Sequence, residues 1–271
     1  MKLGVITDGI SRDFEHALEV MTEARLRYAE LQFVWDREVG DHSPEQVERI
    51  KGLVNKHQVK VSCVSRHIFA GLPILLTQPE DEIYQSHLLG LKRCINLAKS
   101  LEAPLVRIMS GRKEMILFGY NGAEDWVVST GAWSQLLKLM EPPVRIAEEE
   151  KITLVIETGN NAMTSSGILA RKLIDELGTH NLKILWDIPN TQYCTEIPYP
   201  DAYEEIKDYI GHIHIKGVKA DIARSTVRFC PLEEGDIAPY LEEIVNALKR
   251  NEYQGTISYE SVYRPDNGTY E

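Results

Sequence analysis

Four short apolar runs in the second half of the chain each carry, at or near their end, a residue that binds metals or transfers protons. These residues are Glu157 in LVIETGN, Asp187 in ILWDIPN, His214 in GHIHIKG and Glu260 in TISYES. Each run reads as a β-strand. Side chains at successive strand ends converge on one point only if the strands lie side by side and parallel, because parallel strands present their carboxyl ends at one edge. The pattern therefore predicts a parallel sheet.

Strand-like and helix-like stretches alternate along the whole chain. The sequence predicts strands over residues 3–7, 28–34, 60–65, 104–110, 152–157, 182–187, 211–216 and 255–260. It predicts helices over residues 13–26, 44–56, 80–100, 124–151, 167–177, 203–209 and 237–250. We expect Ser43 to cap the second helix, Pro142-Pro143 to break or kink the fourth, and Asp236 to cap the last.

Eight strands linked by helical crossovers in one chain of 271 residues predict a single (β/α)₈ TIM barrel over residues 1–271. An open doubly wound sheet is the competing fold. It normally has a glycine-rich phosphate turn after the first strand, and TDGISRD is not such a turn. The eleven residues after Glu260 are too few for a normal eighth helix. We expect that helix to be missing or truncated, or its place to be covered by a partner.

Composition narrows the class of protein. The net charge of −11 argues against nucleic acid as a partner. The four cysteines, none in a C-x-x-C pair, are typical of reduced thiols. We expect no signal peptide, since the N-terminus begins directly with a strand, and no membrane span, since no apolar stretch approaches about 20 residues. A cytoplasmic protein is the default expectation.

Three carboxylates and one imidazole at the mouth of a parallel barrel would suit a divalent cation such as Mn²⁺, Co²⁺, Mg²⁺ or Zn²⁺. The plainer alternative is that buried strands end in Asp or Glu for solubility or to cap a helix. Four such residues in consecutive units favour a functional site.

The chain resembles the sugar phosphate isomerase/epimerase superfamily, whose members have a xylose isomerase-like barrel. The resemblance is carried by VIETGN, WDIPN, GHIHIKG, ISYES and the stretch VRFCPLEEGDIAPYLEEIVNALKRNEYQG, and it extends over nearly the full length. It implies one divalent metal ion with Glu157, Asp187, His214 and Glu260 as ligands. It also implies a small sugar-like substrate.

Some positions depart from patterns within that superfamily. His67 matches a histidine that follows the third strand in endonuclease IV-type enzymes, but Ser110 stands where a further histidine ligand would be needed. Asn190 stands where many members carry histidine, and this departure also weakens a match to the ketose 3-epimerase pattern. A three-metal centre is therefore incomplete, and the endonuclease interpretation is disfavoured.

The proposed site contains two candidate acid/base residues, Glu157 and Glu260. The resemblance places these glutamates at the metal and on opposite sides of the substrate; the alternative is that they are ligands only. Candidate substrate-binding residues are His67, Arg107, His212 and Lys216. His212 and His214 share one face of their strand, so the local pattern allows either as ligand, and the resemblance favours His214.

The leading hypothesis is a metal-dependent isomerase or epimerase of a sugar, a sugar phosphate or a related polyol, which moves a proton through an enediolate. The alternative is a metal-dependent dehydratase of an inosose or a dehydroshikimate-like compound, since the same base could act before a hydroxide leaves. A sugar-binding barrel without catalysis is a third possibility, which the intact set of four residues disfavours. A homo-oligomer is possible.

Overall fold

The computed structural model of the chain describes residues 1–113, 131–224 and 226–265. Its strands, in chain order, are β1 (Lys2–Ile6), β2 (Tyr28–Leu31), β3 (Phe33–Val34), β4 (Arg37–Glu38), β5 (Lys60–Val64), β6 (Leu105–Ile108), β7 (Thr153–Glu157), β8 (Leu182–Asp187), β9 (Ile210–Ile215), β10 (Val218–Asp221), β11 (Thr226–Phe229) and β12 (Thr256–Tyr259). Its helices are α1 (Phe14–Glu23), α2 (Pro44–Lys56), α3 (Glu82–Ser100), α4 (Ala132–Glu150), α5 (Gly167–Leu177), α6 (Ile188–Gln192), α7 (Tyr203–Ile206) and α8 (Ala238–Arg250).

The long strands close into one barrel in the order β1-β12-β9-β8-β7-β6-β5-β2. Every pairing around the barrel is parallel. The predicted (β/α)₈ barrel is therefore confirmed. Two antiparallel hairpins lie outside it: β3 pairs with β4, and β10 pairs with β11. The strand predicted over residues 28–34 thus contributes only its first four residues to the barrel.

Among the described residues, buried apolar side chains form two clusters, and these lie on opposite faces of the barrel strands. On β7, Leu154 and Ile156 belong to a large cluster that includes the buried faces of the outer helices. Val155 points the other way and packs with Cys63 and Leu185 in a small cluster. Because successive strand residues face opposite sides, Glu157 lies on the same face as Val155. The small cluster therefore lies inside the barrel, on the face that carries the candidate site.

Helix starts follow the sequence signals in most places. Ser43 accepts a hydrogen bond from the backbone N–H of Gln46, and the Gln46 side chain accepts from the N–H of Ser43, so α2 begins with a complete capping box. The predicted cap at Asp236 is wrong. Its carboxylate instead accepts a hydrogen bond from the N–H of Ala220 in β10, and α8 begins without a side-chain cap.

The prolines Pro142 and Pro143 do not break the helix, since α4 runs through both of them. The kink that was predicted as the alternative stays a prediction. Proline removes intrahelical hydrogen bonds, but this helix buries an apolar stripe that includes Leu139, Val144 and Ala147. The free energy gained by packing that stripe outweighs the cost of the hydrogen bonds lost at the two prolines. The first part of the helix predicted over residues 124–151 lies largely outside the described residues.

No α-helix follows β12 within residues 261–265, the described part of the chain beyond it. Residues 266–271 lie outside the described part of the chain, and for them the missing or truncated eighth helix stays a prediction. Among the described residues, no helix is both long enough and apolar enough to cross a membrane.

The large cluster provides a stability prediction. Leu91 in α3 has no exposed surface, and its replacement by alanine should lower the free energy of unfolding by about 2–5 kcal/mol, through lost burial and a residual cavity. Leu89 in the same helix is 58% exposed and is the matched control. The same replacement there should change stability by no more than about 0.5 kcal/mol. Urea denaturation of both variants measures the difference, and equal losses would contradict the packing.

Candidate active site

The four strand-end residues lie on neighbouring strands at the carboxyl end of the barrel. Glu157 and Asp187 are the last residues of β7 and β8, and His214 lies opposite Asp187 on β9. Glu260 directly follows β12, where its backbone N–H donates to the carbonyl of Ile215. The parallel register of four adjacent strands therefore brings these side chains to one mouth, as the sequence predicted.

Three of these side chains form a compact group of atoms of the types that can bind a metal ion. Nδ1 of His214 lies 3.7 Å from Oε1 of Glu157 and 3.8 Å from Oδ2 of Asp187. The donor atoms of all three residues lie within 4.8 Å of one another. Nδ1 of His214 is buried and has no hydrogen-bond partner.

This group passes a simple test of fit for a divalent cation. Two donors bonded to one ion at about 2.1 Å can lie no more than about 4.2 Å apart, and both measured separations from Nδ1 of His214 are shorter. An unpartnered imidazole nitrogen and two carboxylates are also the donor types that such an ion takes. The residues present therefore fit a metal ion.

Glu260 joins this group through Lys216. The ammonium of Lys216 lies 2.7 Å from Oδ2 of Asp187 and 2.5 Å from Oε2 of Glu260. Burial lowers the pKa of Lys216, but the two carboxylates outweigh burial and raise it above its ordinary value. Lys216 therefore stays charged and neutralises two of the predicted ligands.

Arg107 fixes the carboxylate of Glu157 from the neighbouring strand. It donates through Nη1 to Oε2 of Glu157 at 3.0 Å and through Nη2 to the carbonyl of Ser65 at 2.6 Å. Burial raises the pKa of Glu157, but Arg107, His214 and Lys216 outweigh burial and lower it to about 2. Glu157 is therefore ionised. Arg107 is only 3% exposed, and its hydrogen bond holds the carboxylate of Glu157 in place.

Beneath this group lies Glu30, which sequence reasoning missed. It is fully buried near the end of β2, and it contacts Nε2 of His212 at 2.8 Å and Nε2 of His214 at 2.9 Å. Ser65 donates its hydroxyl to the same carboxylate at 2.5 Å. Burial raises the pKa of Glu30, but the two histidines outweigh it and hold the pKa well below its ordinary value. The sequence did contain a signal for this residue, because Glu30 is a charged residue inside the apolar run YAELQFV.

The remaining predicted substrate-binding residues lie in different surroundings. His67 is at the mouth, where Nδ1 contacts Oε1 of Glu38 at 2.8 Å and Nε2 contacts the side-chain amide of Gln32 at 3.1 Å. Its side chain is 37% exposed and lies outside the three-residue donor group. His212, in contrast, has no exposed surface. Of these two residues, only His67 therefore offers surface to a substrate.

Asp8 is a second residue that sequence reasoning missed at this end of the barrel. It follows β1 and accepts a hydrogen bond from the N–H of Phe33 at 3.2 Å. Burial raises its pKa, against the opposing effects of Phe33 and the charge of Arg107. Asp8 and Gln32 line a cavity of about 330 Å³ beside the mouth, which provides room for a small polar molecule.

A cleft of about 550 Å³ lies at the opposite end of the barrel. Lys2, Lys60 and Thr256 line it, and each stands at the start of its strand. In TIM barrels chemistry occurs at the carboxyl ends of the strands, and the other end contributes to stability. Cavity size therefore does not identify the site in this barrel; the buried polar groups at the mouth do.

The pairing of Lys216 predicts a stability effect in the absence of metal. Lys216→Met should lower the free energy of unfolding by about 3–5 kcal/mol, because it leaves Asp187 and Glu260 without their buried counter-charge. The exposed Lys219 is the matched control, and Lys219→Met should change stability by at most about 0.5 kcal/mol. Both are measured by urea denaturation with a chelator present. A loss for Lys216→Met no larger than the control would contradict the pairing.

Comparisons with known proteins agree with the fold. A model of the family described as xylose isomerase-like TIM barrel matches residues 18–271. A search of curated proteins found no match.

Three solved structures illustrate the likeness. The probable 3-DHS dehydratase AsbF from Bacillus anthracis is 16% identical, with a TM-score of 0.73, over 96% of this chain and 92% of that one. A xylose isomerase-like TIM barrel protein from Mycobacterium smegmatis, solved in complex with magnesium, is 15% identical, with a TM-score of 0.67, over 93% and 82%. The 3-keto-D-glucoside 4-epimerase YcjR from E. coli is 17% identical, with a TM-score of 0.64, over 98% and 94%. At these identities the likeness is one of fold.

Proposed function

The chain belongs to the xylose isomerase-like TIM barrel family, and from that premise we propose that it is a divalent-metal-dependent isomerase or epimerase. The proposed substrate is a sugar, a sugar phosphate or a related polyol. The observation that carries the proposal is the buried, unpartnered Nδ1 of His214, which faces the carboxylates of Glu157 and Asp187. The magnesium complex of a protein with the same fold also supports a metal here.

Glu157, Asp187, His214 and Glu260 would hold the ion. A divalent cation supplies Lewis-acid stabilisation of the negative charge that develops on a substrate oxygen. Lys216 does not prevent this role, because a carboxylate oxygen has two lone pairs. Oδ2 of Asp187 therefore has a second lone pair beside the one that accepts from Lys216.

Proton transfer is assigned to Glu157 and Glu260. A proton on a hydroxyl-bearing carbon next to a carbonyl is weakly acidic, and its removal gives an enediolate. A carboxylate then returns the proton to the neighbouring carbon or to the opposite face of the same carbon. The side chain of Glu260 is 27% exposed and that of Glu157 is 9% exposed, so Glu260 is the more accessible to a substrate at the mouth.

The other polar side chains position the two glutamates or meet the substrate. Arg107 holds Glu157, and Lys216 holds Glu260, each by a hydrogen bond to one carboxylate oxygen. His67 is oriented by Glu38 and Gln32, and its half-exposed ring would contact a substrate hydroxyl. The prediction that His212 contacts substrate is not carried into this proposal, because its ring is fully buried.

A dehydratase is the second candidate function. AsbF, described as a probable 3-DHS dehydratase, has the same fold over 96% of this chain. The same glutamates could remove a proton from a carbon next to a carbonyl, after which a neighbouring hydroxide leaves. Water is then lost and a conjugated carbonyl forms, whereas an isomerase or epimerase returns the proton and loses nothing.

Glu260→Gln tests the acid/base assignment. The replacement keeps the side-chain volume and removes the group that accepts the proton, so turnover should fall by about 10²–10⁴-fold and metal affinity should weaken. The fold should survive, because Glu260 lies at the mouth and most of the core lies elsewhere. Activity, metal content and melting temperature are measured together. Glu252→Gln, an exposed change near the start of β12, is the control. Full turnover with saturating metal would remove Glu260 as the base.

Hydrogen exchange with solvent distinguishes the two reactions. In D₂O with Mn²⁺, a panel of ketoses, aldoses, their phosphates and inososes is incubated with the protein. The proposal predicts deuterium at a carbon next to the carbonyl of one substrate, without loss of water, and no incorporation after metal removal. An ultraviolet-absorbing conjugated product would instead indicate the dehydratase. Absence of both outcomes across the panel would count against either enzyme.

A further inference from the structure

The buried side chains under the candidate site form a network of their own. Glu30 lies between two histidines of β9 and has no exposed surface. Its carboxylate contacts Nε2 of His212 and Nε2 of His214 at 2.8–2.9 Å. The hydroxyl of Ser65 donates to the same carboxylate, at its Oε1. Such a charged group inside a barrel is costly unless each of its bonds is made, so its presence calls for a role.

These contacts have the geometry of hydrogen bonds. The nitrogen–oxygen separations of 2.8–2.9 Å are those of charge-assisted hydrogen bonds. A carboxylate accepts and does not donate, so each Nε2 must carry the proton. For His214 this has one consequence. With Nε2 protonated and directed at Glu30, Nδ1 is the nitrogen left to face Glu157 and Asp187.

We infer that Glu30 is a positioning residue of the metal site: it holds the proton of His214 on Nε2 and orients the ring so that Nδ1 points at the ion. This inference rests on the proposed function, because it takes Glu157, Asp187 and His214 as the metal-binding group. Metal-binding histidines commonly donate their other N–H to a carboxylate, which fixes the tautomer and raises the basicity of the ligand nitrogen. Glu30 is the group that accepts this N–H here.

The network also fixes Glu30 itself. Ser65 donates its hydroxyl to Glu30, and the backbone carbonyl of Ser65 accepts from Arg107. Arg107 in turn donates to Glu157. A continuous chain of hydrogen bonds therefore connects the two carboxylates that flank His214, one beneath its ring and one beside Nδ1.

The test compares three variants by calorimetric titration with Mn²⁺ and by nitrogen-15 NMR of the histidine rings. Glu30→Gln should weaken metal binding by about 10–100-fold, the usual cost of losing such a partner. Glu196→Gln makes the same change at a carboxylate that accepts from the N–H of Gly167, away from this network, and should leave affinity unchanged. His212→Asn removes the other histidine that contacts Glu30 while His214 stays in place, and it should weaken Mn²⁺ binding less than Glu30→Gln does.

The NMR measurement applies to the unchanged protein first. His214 should carry a hydrogen-bonded proton on Nε2 with and without Mg²⁺, and Nδ1 should be unprotonated when Mg²⁺ is bound. In Glu30→Gln the Nε2 proton signal should shift or disappear. An unprotonated Nε2 in the unchanged protein would overturn the inference, even if Glu30→Gln failed to fold. The inference would also be overturned if Glu30→Gln folds and binds Mn²⁺ with normal affinity. It would likewise be overturned if His212→Asn loses as much Mn²⁺ affinity as Glu30→Gln does. If the unchanged protein binds no metal, the proposed function fails instead.

Discussion

The pairing of buried charges at one end of a closed barrel is the constraint on which the rest of the site depends. Glu157 and Asp187 are almost without solvent, so each needs a counter-charge within hydrogen-bond distance. Arg107 and Lys216 meet that need, and Glu260 shares the ammonium of Lys216. The result is a set of carboxylates that hydrogen bonds orient before any ligand arrives. Such preorganisation is what a site that stabilises developing charge requires.

The barrel places these charges by register and not by local sequence. Adjacent parallel strands carry Glu157, Asp187 and His214 to the carboxyl end of the barrel, where Asp187 lies opposite His214 and Glu157 lies opposite Leu185. The small apolar cluster under them fills the interior. Glu30 enters from β2, which is not a neighbour of β9 in the barrel, and reaches His214 across the interior. Only closure of the barrel can bring these two strands face to face. The fold and the orientation of the imidazole are therefore linked.

The alternation of strands and helices could be predicted from the sequence, because apolar runs and helical periodicity are local signals. The strand ends at Glu157 and Asp187 were readable for the same reason. Contacts across the barrel were not, since no local pattern indicates that Glu30 meets His214 or that Lys216 joins Asp187 to Glu260. The cap predicted at Asp236 failed because a tertiary partner, the N–H of Ala220, was available to its carboxylate. The helix through Pro142 survived because its buried face outweighed a local cost.

The claim that a divalent cation binds between Glu157, Asp187 and His214 is tested most directly by crystallography with anomalous scattering from Mn²⁺. One strong anomalous peak is expected at the carboxyl end of the barrel, within bonding distance of Nδ1 of His214 and of both carboxylates. Glu260 should contact the same peak, and Nε2 of His214 should still face Glu30. Crystals grown with saturating Mn²⁺ that show no peak there, with Lys216 still joining Asp187 and Glu260, would contradict a cation site at these residues.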